Sequence, residues 1–184
     1  QEKVKFDSIG KAREIDDLAE KTRILFNHKD KGGDFYRATF TDLFSYVSFR
    51  IPEISDELFR IDDGVKAGFG WQLGPFESWD ALGVSTVLTK MKESGKAVAS
   101  WVEEMVAAGN ESFYKVEKGT RLYYDIPSKS YKAIPGTEEL VILENLRAEH
   151  TVWKNKDATI VDLGDGVKFG EKNIPKVAEE LRKK

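Results

Sequence analysis

Ile61-Asp62-Asp63-Gly64-Val65-Lys66-Ala67-Gly68-Phe69-Gly70-Trp71-Gln72-Leu73-Gly74-Pro75-Phe76-Glu77-Ser78-Trp79-Asp80-Ala81-Leu82-Gly83 is the stretch whose reading decides the fold. Leu58, Ile61 and Val65 lie at the 3-4 spacing of one helical face, and Gly68 then stands where a helix commonly ends in a left-handed residue. Gly74-Pro75 restarts a helix, because proline at the first helical position gives up an N–H that has no intrahelical partner, and Gly83 offers the next stop. Between the stops, Phe69 to Leu73 form a bend carrying several large apolar side chains. Such a bend must cover its surface with the rest of the protein or with a partner, since an apolar patch left in water marks an interaction surface. Gly68, Gly70 and Gly74 do not make a dinucleotide fingerprint. Their spacing is G-x-G-x-x-x-G, Leu73 fills the place of the last glycine, and a helix precedes them where the fingerprint needs a strand.

Composition narrows the function classes. At 184 residues the chain is long enough to bury a core as one domain with an appendage. There is no cysteine, which excludes disulfides and thiol chemistry, and fits a cytoplasmic or organelle-matrix setting better than a secreted one. With 29 basic and 32 acidic residues the net charge is −3, so nothing draws the chain to nucleic acid. No apolar run is long enough to span a bilayer, and Gln1 to Asp7 is polar.

Upstream of the bend, Ile15, Leu18, Thr22, Leu25 and Phe26 repeat at helical spacing, with acids early in the run where they suit the helix dipole. Residues 27–33 read as a polar, glycine-bearing break. From Asp34 to Ile51, a face of Tyr36, Phe40, Leu43, Phe44, Val47 and Ile51, widened by Phe35 and Phe49, predicts a central helix stopped by Pro52. Ser55, followed by Asp56 and Glu57, is a suitable cap for the helix that enters the bend. Downstream, Val87, Leu88 and Met91 predict a helix ended by Ser94-Gly95. Trp101, Val102, Met105 and Val106 predict another, ended by Gly109-Asn110. The aromatic and methionine spacing in these helices is what burial requires.

Near Phe113 the pattern changes to strands: Phe113 to Val116, Leu122 to Ile126 and Tyr131 to Ile134, closed by Pro135-Gly136. Leu140 to Leu146 is open between strand and helix. Ala158 to Leu163 and Val167 to Phe169 flank Gly164-Asp165-Gly166, a hairpin signal, and Gly170 to Lys184 predicts a short amphipathic helix.

Candidates for chemistry are few. His28 and His150 are the only histidines and stand on separate polar segments, so a zinc site is not indicated and each reads as a surface residue. The acid pairs Asp16-Asp17, Asp62-Asp63, Glu103-Glu104, Glu138-Glu139 and Glu179-Glu180 read as solvated faces, because adjacent helical residues point apart. Asp80, just after Gly74-Pro75-Phe76, is expected to bind backbone N–H groups of the bend.

The bend and its flanks resemble the signature of the C-terminal helical domain of L-3-hydroxyacyl-CoA dehydrogenases. There an Ile-Asp stretch leads into Gly-Phe-Gly and Gly-Pro-Phe with an Asp shortly after, matched here by Ile61-Asp62, Gly68-Phe69-Gly70, Gly74-Pro75-Phe76 and Asp80. Arg50 to Ile54 and Trp79 to Gly83 are similar to the second copy of that domain in long bifunctional members that also carry an enoyl-CoA hydratase domain. The likeness runs from about Phe6 to Val167, and Ala158 to Phe169 resembles the opening strands of the hydratase domain.

The resemblance implies a mainly α fold: a helical bundle like the C-terminal domain of 6-phosphogluconate and 3-hydroxyacyl-CoA dehydrogenases, with a small β-hairpin appendage near the C-terminus. It implies a linker and N-terminal helix over 1–33, the helical domain over 34–112, and over 113–184 the appendage and the start of a truncated hydratase-like segment. The family oxidises 3-hydroxyacyl-CoA with NAD bound to a Rossmann domain and a His-Glu dyad as base. Neither the fingerprint nor a His in a His-Phe-Phe-Asn-Pro context is present, so no catalytic, cofactor-binding or metal-ligating residue is assigned. Phe69, Trp71, Pro75, Phe76, Trp79 and Asp80 are expected to be structural or interface residues. The implied partners are the upstream Rossmann and first helical domains of a parent enzyme, its acyl-CoA substrate, and a second copy of the chain. The alternative is a stand-alone helical module that binds an acyl-CoA or a protein.

Overall fold

A computed structural model describes residues 5–137, 150–154, 159–162 and 168–171. The protein is mainly α, with a small β appendage towards its C-terminal end. Helices α1 (Asp7–Arg13), α2 (Leu18–Asn27), α3 (Lys31–Phe49), α4 (Leu58–Phe69), α5 (Pro75–Leu82), α6 (Val84–Glu93) and α7 (Ser100–Ala107) come first. Strands β1 (Tyr114–Glu117), β2 (Thr120–Asp125), β3 (Ser130–Ala133), β4 (Thr151–Lys154), β5 (Thr159–Asp162) and β6 (Lys168–Glu171) follow. The chain divides into two compact units, Gln1–Tyr114 with Tyr123–Lys132, and Lys115–Leu122 with Ala133–Lys184.

In the first unit, α5 is the hub. Its Trp79 and Phe76 are fully buried, and their rings gather the rings of the neighbouring elements. Trp79 stacks on Phe44 of α3 with centroids 4.8 Å apart, and Phe113 meets Trp79 edge-on at 5.2 Å and Phe76 at 5.1 Å. Trp101 of α7 closes the cluster against Phe113 at 5.7 Å. Offset and edge-on pairs of this kind add to what area burial contributes, because ring edges meet the negative ring faces. Two polar contacts hold α7 on α3: the Trp101 indole N–H donates to the Ser48 carbonyl at 2.9 Å, and the Ala99 N–H donates to the Ser48 hydroxyl at 3.1 Å. Arg37 joins α3 to the end of α2 by donating to the carbonyls of Phe26 and His28 at 2.8 and 2.6 Å. A helix C-terminus has carbonyls without intrahelical partners, and a guanidinium satisfies two of them at once.

Several local expectations need correction. Helix α4 does not stop at Gly68; it continues to Phe69 and stops at Gly70, whose φ of 68° is the left-handed conformation. Gly32 and Gly33 do not lie in a break but are buried in the first turn of α3, because Asp30 caps that turn by accepting the Gly33 N–H at 2.8 Å. Asp17 caps α2 in the same way, through the Glu20 N–H at 2.7 Å, so the helix starts at Leu18 and leaves Ile15 outside. Phe35 and Phe49 do not widen the buried face of α3; they are 68 % and 44 % exposed. Ser55 does not cap α4. Its hydroxyl accepts the Glu57 N–H at 3.2 Å in the turn before the helix, and Glu57 itself holds the capping position.

The first sheet has the order β1-β2-β3 and the second β4-β5-β6. In the second, β5 pairs antiparallel with both neighbours, Ile160 standing opposite Trp153 and Gly170. Ile160 is fully buried and packs against Trp153. Gly170 and Glu171, expected to open a helix, extend β6. The Asp165-Gly166 turn, the segment 140–146 and the remainder of the expected C-terminal helix lie outside the described residues.

Candidate functional site

Helix α5 begins without a capping side chain of its own, because Gly74 has none. The N–H groups of Phe76 and Glu77 are two of the donors that every helix start leaves without an intrahelical partner. Asp62, in the middle of α4, takes both: Oδ1 accepts from Phe76 at 2.9 Å and Oδ2 from Glu77 at 3.0 Å. An aspartate usually caps the helix it precedes; here it caps a different helix fourteen residues further along the chain. Gly74 makes this possible, since a Cβ there would overlap the Asp62 side chain and backbone. Glu77 completes the arrangement by accepting the Gly74 N–H at 2.7 Å and the Lys66 ammonium at 2.9 Å.

Asp62 therefore does not sit on a solvated face, as its place beside Asp63 led one to expect; it is fully buried, whereas Asp63 is exposed and pairs with Lys66 at 3.0 Å. Burial is the main influence on Asp62 and pushes its carboxyl pKa up to about 7, with the charge of Glu77 adding to the rise. The hydrogen bonds from Phe76, Tyr114 and Glu77 pull the other way. Burial of the Lys66 ammonium favours its neutral form, and the hydrogen bonds to Glu77 and Asp63 outweigh that, holding its pKa above the usual lysine value.

Asp80 lies one turn beyond Glu77. The backbone N–H groups it binds are those of Phe113 at 2.7 Å and Tyr114 at 2.8 Å, at the start of β1, whereas the bend's following helix is capped by Asp62. Tyr114 thus meets α5 through its backbone and α4 through its hydroxyl, which donates to Asp62 Oδ2 at 2.9 Å.

The six residues singled out from sequence fall into two groups. Pro75, Phe76 and Trp79 are buried, and Asp80 is half-buried. Phe69 and Trp71 are 78 % and 43 % exposed. Trp71, Gln72 and Leu73 line an open cavity of about 280 Å³ together with Leu18, Thr22, Phe40 and Ser78. Asp62, Glu77, Lys66 and Tyr114 were not among the expected residues. The signal that could have found them is Gly74-Pro75 itself, a helix start with no capping side chain, which requires an acceptor from elsewhere.

His28 is not a plain surface residue. Its side chain is 21 % exposed and lies 3.1 Å from the Asp7 carboxylate through Nε2 and 3.6 Å from Asp30 through Nδ1, where α1 meets the α2–α3 connection. Among the described residues no group of three or more His, Cys, Asp or Glu is placed to hold a metal ion, and no helix is long and apolar enough to cross a membrane.

The fold and the bend define a helical domain whose polar side chains cap and brace helices, and whose exposed Trp71 lines an open, mostly apolar cavity. The chain is a relative of the 3-hydroxyacyl-CoA dehydrogenases. It is 33 % identical over 166 residues to a probable 3-hydroxyacyl-CoA dehydrogenase of Bacillus subtilis, an alignment covering 90 % of this chain and 21 % of that protein. It is 30 % identical over 74 residues to a putative fatty acid oxidation complex trifunctional enzyme of Rickettsia felis, covering 34 % of this chain and 10 % of that protein. The chain thus spans about a fifth of the length of the first relative and a tenth of the second. No protein-family model and no solved structure matches the chain.

Proposed function

We propose that the chain supplies the second C-terminal helical repeat of an NAD-dependent 3-hydroxyacyl-CoA dehydrogenase, the enzyme that oxidises 3-hydroxyacyl-CoA to 3-oxoacyl-CoA in fatty-acid β-oxidation, and carries out none of the chemistry itself. The observation that carries this reading is the alignment of 90 % of the chain with part of a probable 3-hydroxyacyl-CoA dehydrogenase. In this reading NAD and the catalytic base belong to the Rossmann portion of the parent enzyme, which works in the cytoplasm. The helical core of 34–112 packs as a pseudo-dimer against the first helical repeat and shields the acyl-CoA cleft. The exposed Phe69 and Trp71 support such a role, because large aromatic side chains left in water are the usual anchors of an interface. Behind them, Phe76 and Trp79 anchor α5, the helix that follows the bend, in the buried ring cluster.

The test is to place Phe69→Ser and Trp71→Ser together in the parent enzyme and measure NAD-dependent oxidation of a 3-hydroxyacyl-CoA alongside the thermal stability of the assembled protein. The reading expects lower assembly stability and a raised KM for the acyl-CoA. An enzyme indistinguishable from the unaltered one in both respects removes the bend from the interface.

The alternative, a stand-alone module for an acyl-CoA or a protein partner, has one observation in its favour: the cavity beside Trp71 is mostly apolar with Thr22, Gln72 and Ser78 as polar residues of its lining, the usual make-up of a small-ligand pocket. Calorimetric titration of this chain with acyl-CoAs separates the two readings, since the first expects no tight binding by the helical repeat on its own.

A further inference from the structure

The open cavity beside the bend joins apolar walls to a pair of nearly buried hydroxyl residues. Ser78 and Thr22 are the most buried of its lining, 5 % and 8 % exposed, whereas Leu18, Phe40 and Leu73 are half-buried and Trp71 and Gln72 are exposed. Thr22 gives its hydroxyl proton to the Leu18 carbonyl at 2.8 Å, so it has only acceptor capacity left. Ser78 differs from the other hydroxyls within helices. Those of Thr22, Thr41, Ser48 and Thr89 each donate to a carbonyl one turn back, while that of Ser78 has no hydrogen-bond partner among the described residues. It lines the cavity with both its proton and its lone pairs free to engage a ligand.

This lining selects its occupant. Among the described residues of the lining none carries a charge, so an ionised group placed there would be buried without a partner, and the occupant is neutral. A plain hydrocarbon tail would drive water from Ser78 and leave its hydroxyl unpaired. The occupant therefore carries a polar group, and a hydroxyl suits best, since it can accept from Ser78 and donate to Ser78 or Thr22. Phe40 and Trp71 supply aromatic walls for a ring, and Phe40 is held in place with its centroid 5.6 Å from that of Phe44 and 5.9 Å from that of Tyr36. An apolar cavity of about 150 Å³ takes up benzene. One of about 280 Å³ has room for a ring with its substituents. A neutral ring that bears a hydroxyl is a phenol.

We propose that this cavity is a socket for the side chain of a tyrosine presented by a protein partner, with the ring against Phe40 and Trp71 and the phenol hydroxyl on Ser78. A protein supplies the phenol because the rim continues the match. The exposed Gln72 amide can pair with both the N–H and the carbonyl of a peptide group, and Phe69, 78 % exposed and two residues before Trp71, is apolar surface that a lone ring would leave in water. Tyrosine is also among the residues that most often anchor interfaces. The socket is preformed: the Arg23 guanidinium donates to the Ala81 carbonyl at 2.5 Å and ties α2 to α5, so the helices that carry Thr22 and Ser78 are joined before anything binds. This does not depend on the dehydrogenase reading.

The test is an NMR titration of this chain with p-cresol, which is the tyrosine side chain on its own, and with toluene, which lacks the hydroxyl. The signals followed are the backbone amides of Gln72, Leu73 and Ser78 and the Trp71 indole N–H. p-Cresol is expected to bind roughly 2- to 10-fold more tightly than toluene, the gain from one hydrogen bond. In Ser78→Ala that ratio is expected to fall towards unity. n-Heptanol, a chain with a terminal hydroxyl, is expected to bind more weakly than p-cresol, and N-acetyltyrosinamide, which adds the backbone, at least as tightly. Equal affinities for p-cresol and toluene, a ratio unchanged in Ser78→Ala, or shifts that do not saturate overturn the proposal. n-Heptanol binding as tightly as p-cresol overturns the choice of a ring, and p-cresol binding without binding of N-acetyltyrosinamide overturns the choice of a protein. Should Ser78→Ala fail to fold, the comparison of p-cresol with toluene on the unaltered chain decides alone.

Discussion

Replacing Asp62 by Asn separates the two things this side chain does: it caps α5 and it carries a buried titrating group. The pKa of Asp62 is raised from 3.8 to about 7 in the folded protein, so the native state binds the proton more tightly than the unfolded chain. Stability from this linkage is fully present below the unfolded value of 3.8 and is lost as pH rises through about 7. Integrating the proton difference gives a loss of ~1.4 kcal/mol from pH ~6 to pH ~8, and of ~2.7 kcal/mol from pH ~5 to pH ~8. Asn does not titrate. It keeps one acceptor oxygen for two N–H groups and one hydroxyl, so it adds a penalty of about 1–3 kcal/mol that is the same at every pH. Urea unfolding of both proteins at fixed ionic strength, compared across this range, is expected to show a difference that changes with pH by the amount given. Acid groups with lowered pKa do not interfere: Asp30, held at about 2 by the Gly33 and Ser8 N–H groups, loses its contribution only as pH falls below the usual carboxylate range. Unfolding curves for the two proteins that run parallel from pH ~5 to pH ~8 would refute the reasoning, since Asp62 would then titrate alike in both states.

Three further substitutions test the packing and the bend. Trp79→Ala opens a cavity among Phe44 and Phe113 and is expected to destabilise the first unit by about 3–5 kcal/mol, read by urea unfolding; a loss below about 1 kcal/mol would mean that the ring cluster is not the core. Gly74→Ala forces Asp62 away from the start of α5 and is expected to cost about 1–3 kcal/mol, with loss of amide protection at Phe76 and Glu77. Unchanged protection at those two amides would contradict the capping role of Asp62. Phe69→Ser, at a side chain that is 78 % exposed, is expected to leave the unfolding midpoint within about 0.5 kcal/mol while lowering any self-association measured by light scattering.

Local chemistry made much of the fold legible. Gly74-Pro75 and Gly83 bound α5 where proline and glycine allow, Ser94-Gly95 and Gly109-Asn110 follow α6 and α7, and the strand pattern after Phe113 becomes β1 to β3. What stayed hidden depends on partners remote in sequence. A helix pattern turns Asp62 and Asp63 to different faces without saying that either is buried; the arrival of Gly74 against Asp62 buries one and leaves the other in water. Gly32 and Gly33 look like a break because glycine favours turns, yet Asp30 supplies a cap that starts α3 one residue ahead of them. Phe35 and Phe49 fit a widened apolar face by spacing, but α3 is covered on one side only, so they remain exposed. The Phe69–Trp71 bend was legible as apolar surface in need of cover; the structure adds the cavity that Trp71 shares with Phe40 and Leu73.

The central claim is that this domain completes a larger dehydrogenase. Size-exclusion chromatography with light scattering on this chain, before and after adding the separately expressed Rossmann and first helical portion of the parent enzyme, tests it most directly when NAD-dependent 3-hydroxyacyl-CoA oxidation is measured on the same samples. The account predicts a stable stoichiometric complex with higher dehydrogenase activity than the Rossmann portion has alone. A chain that stays monomeric and leaves that activity unchanged would contradict it.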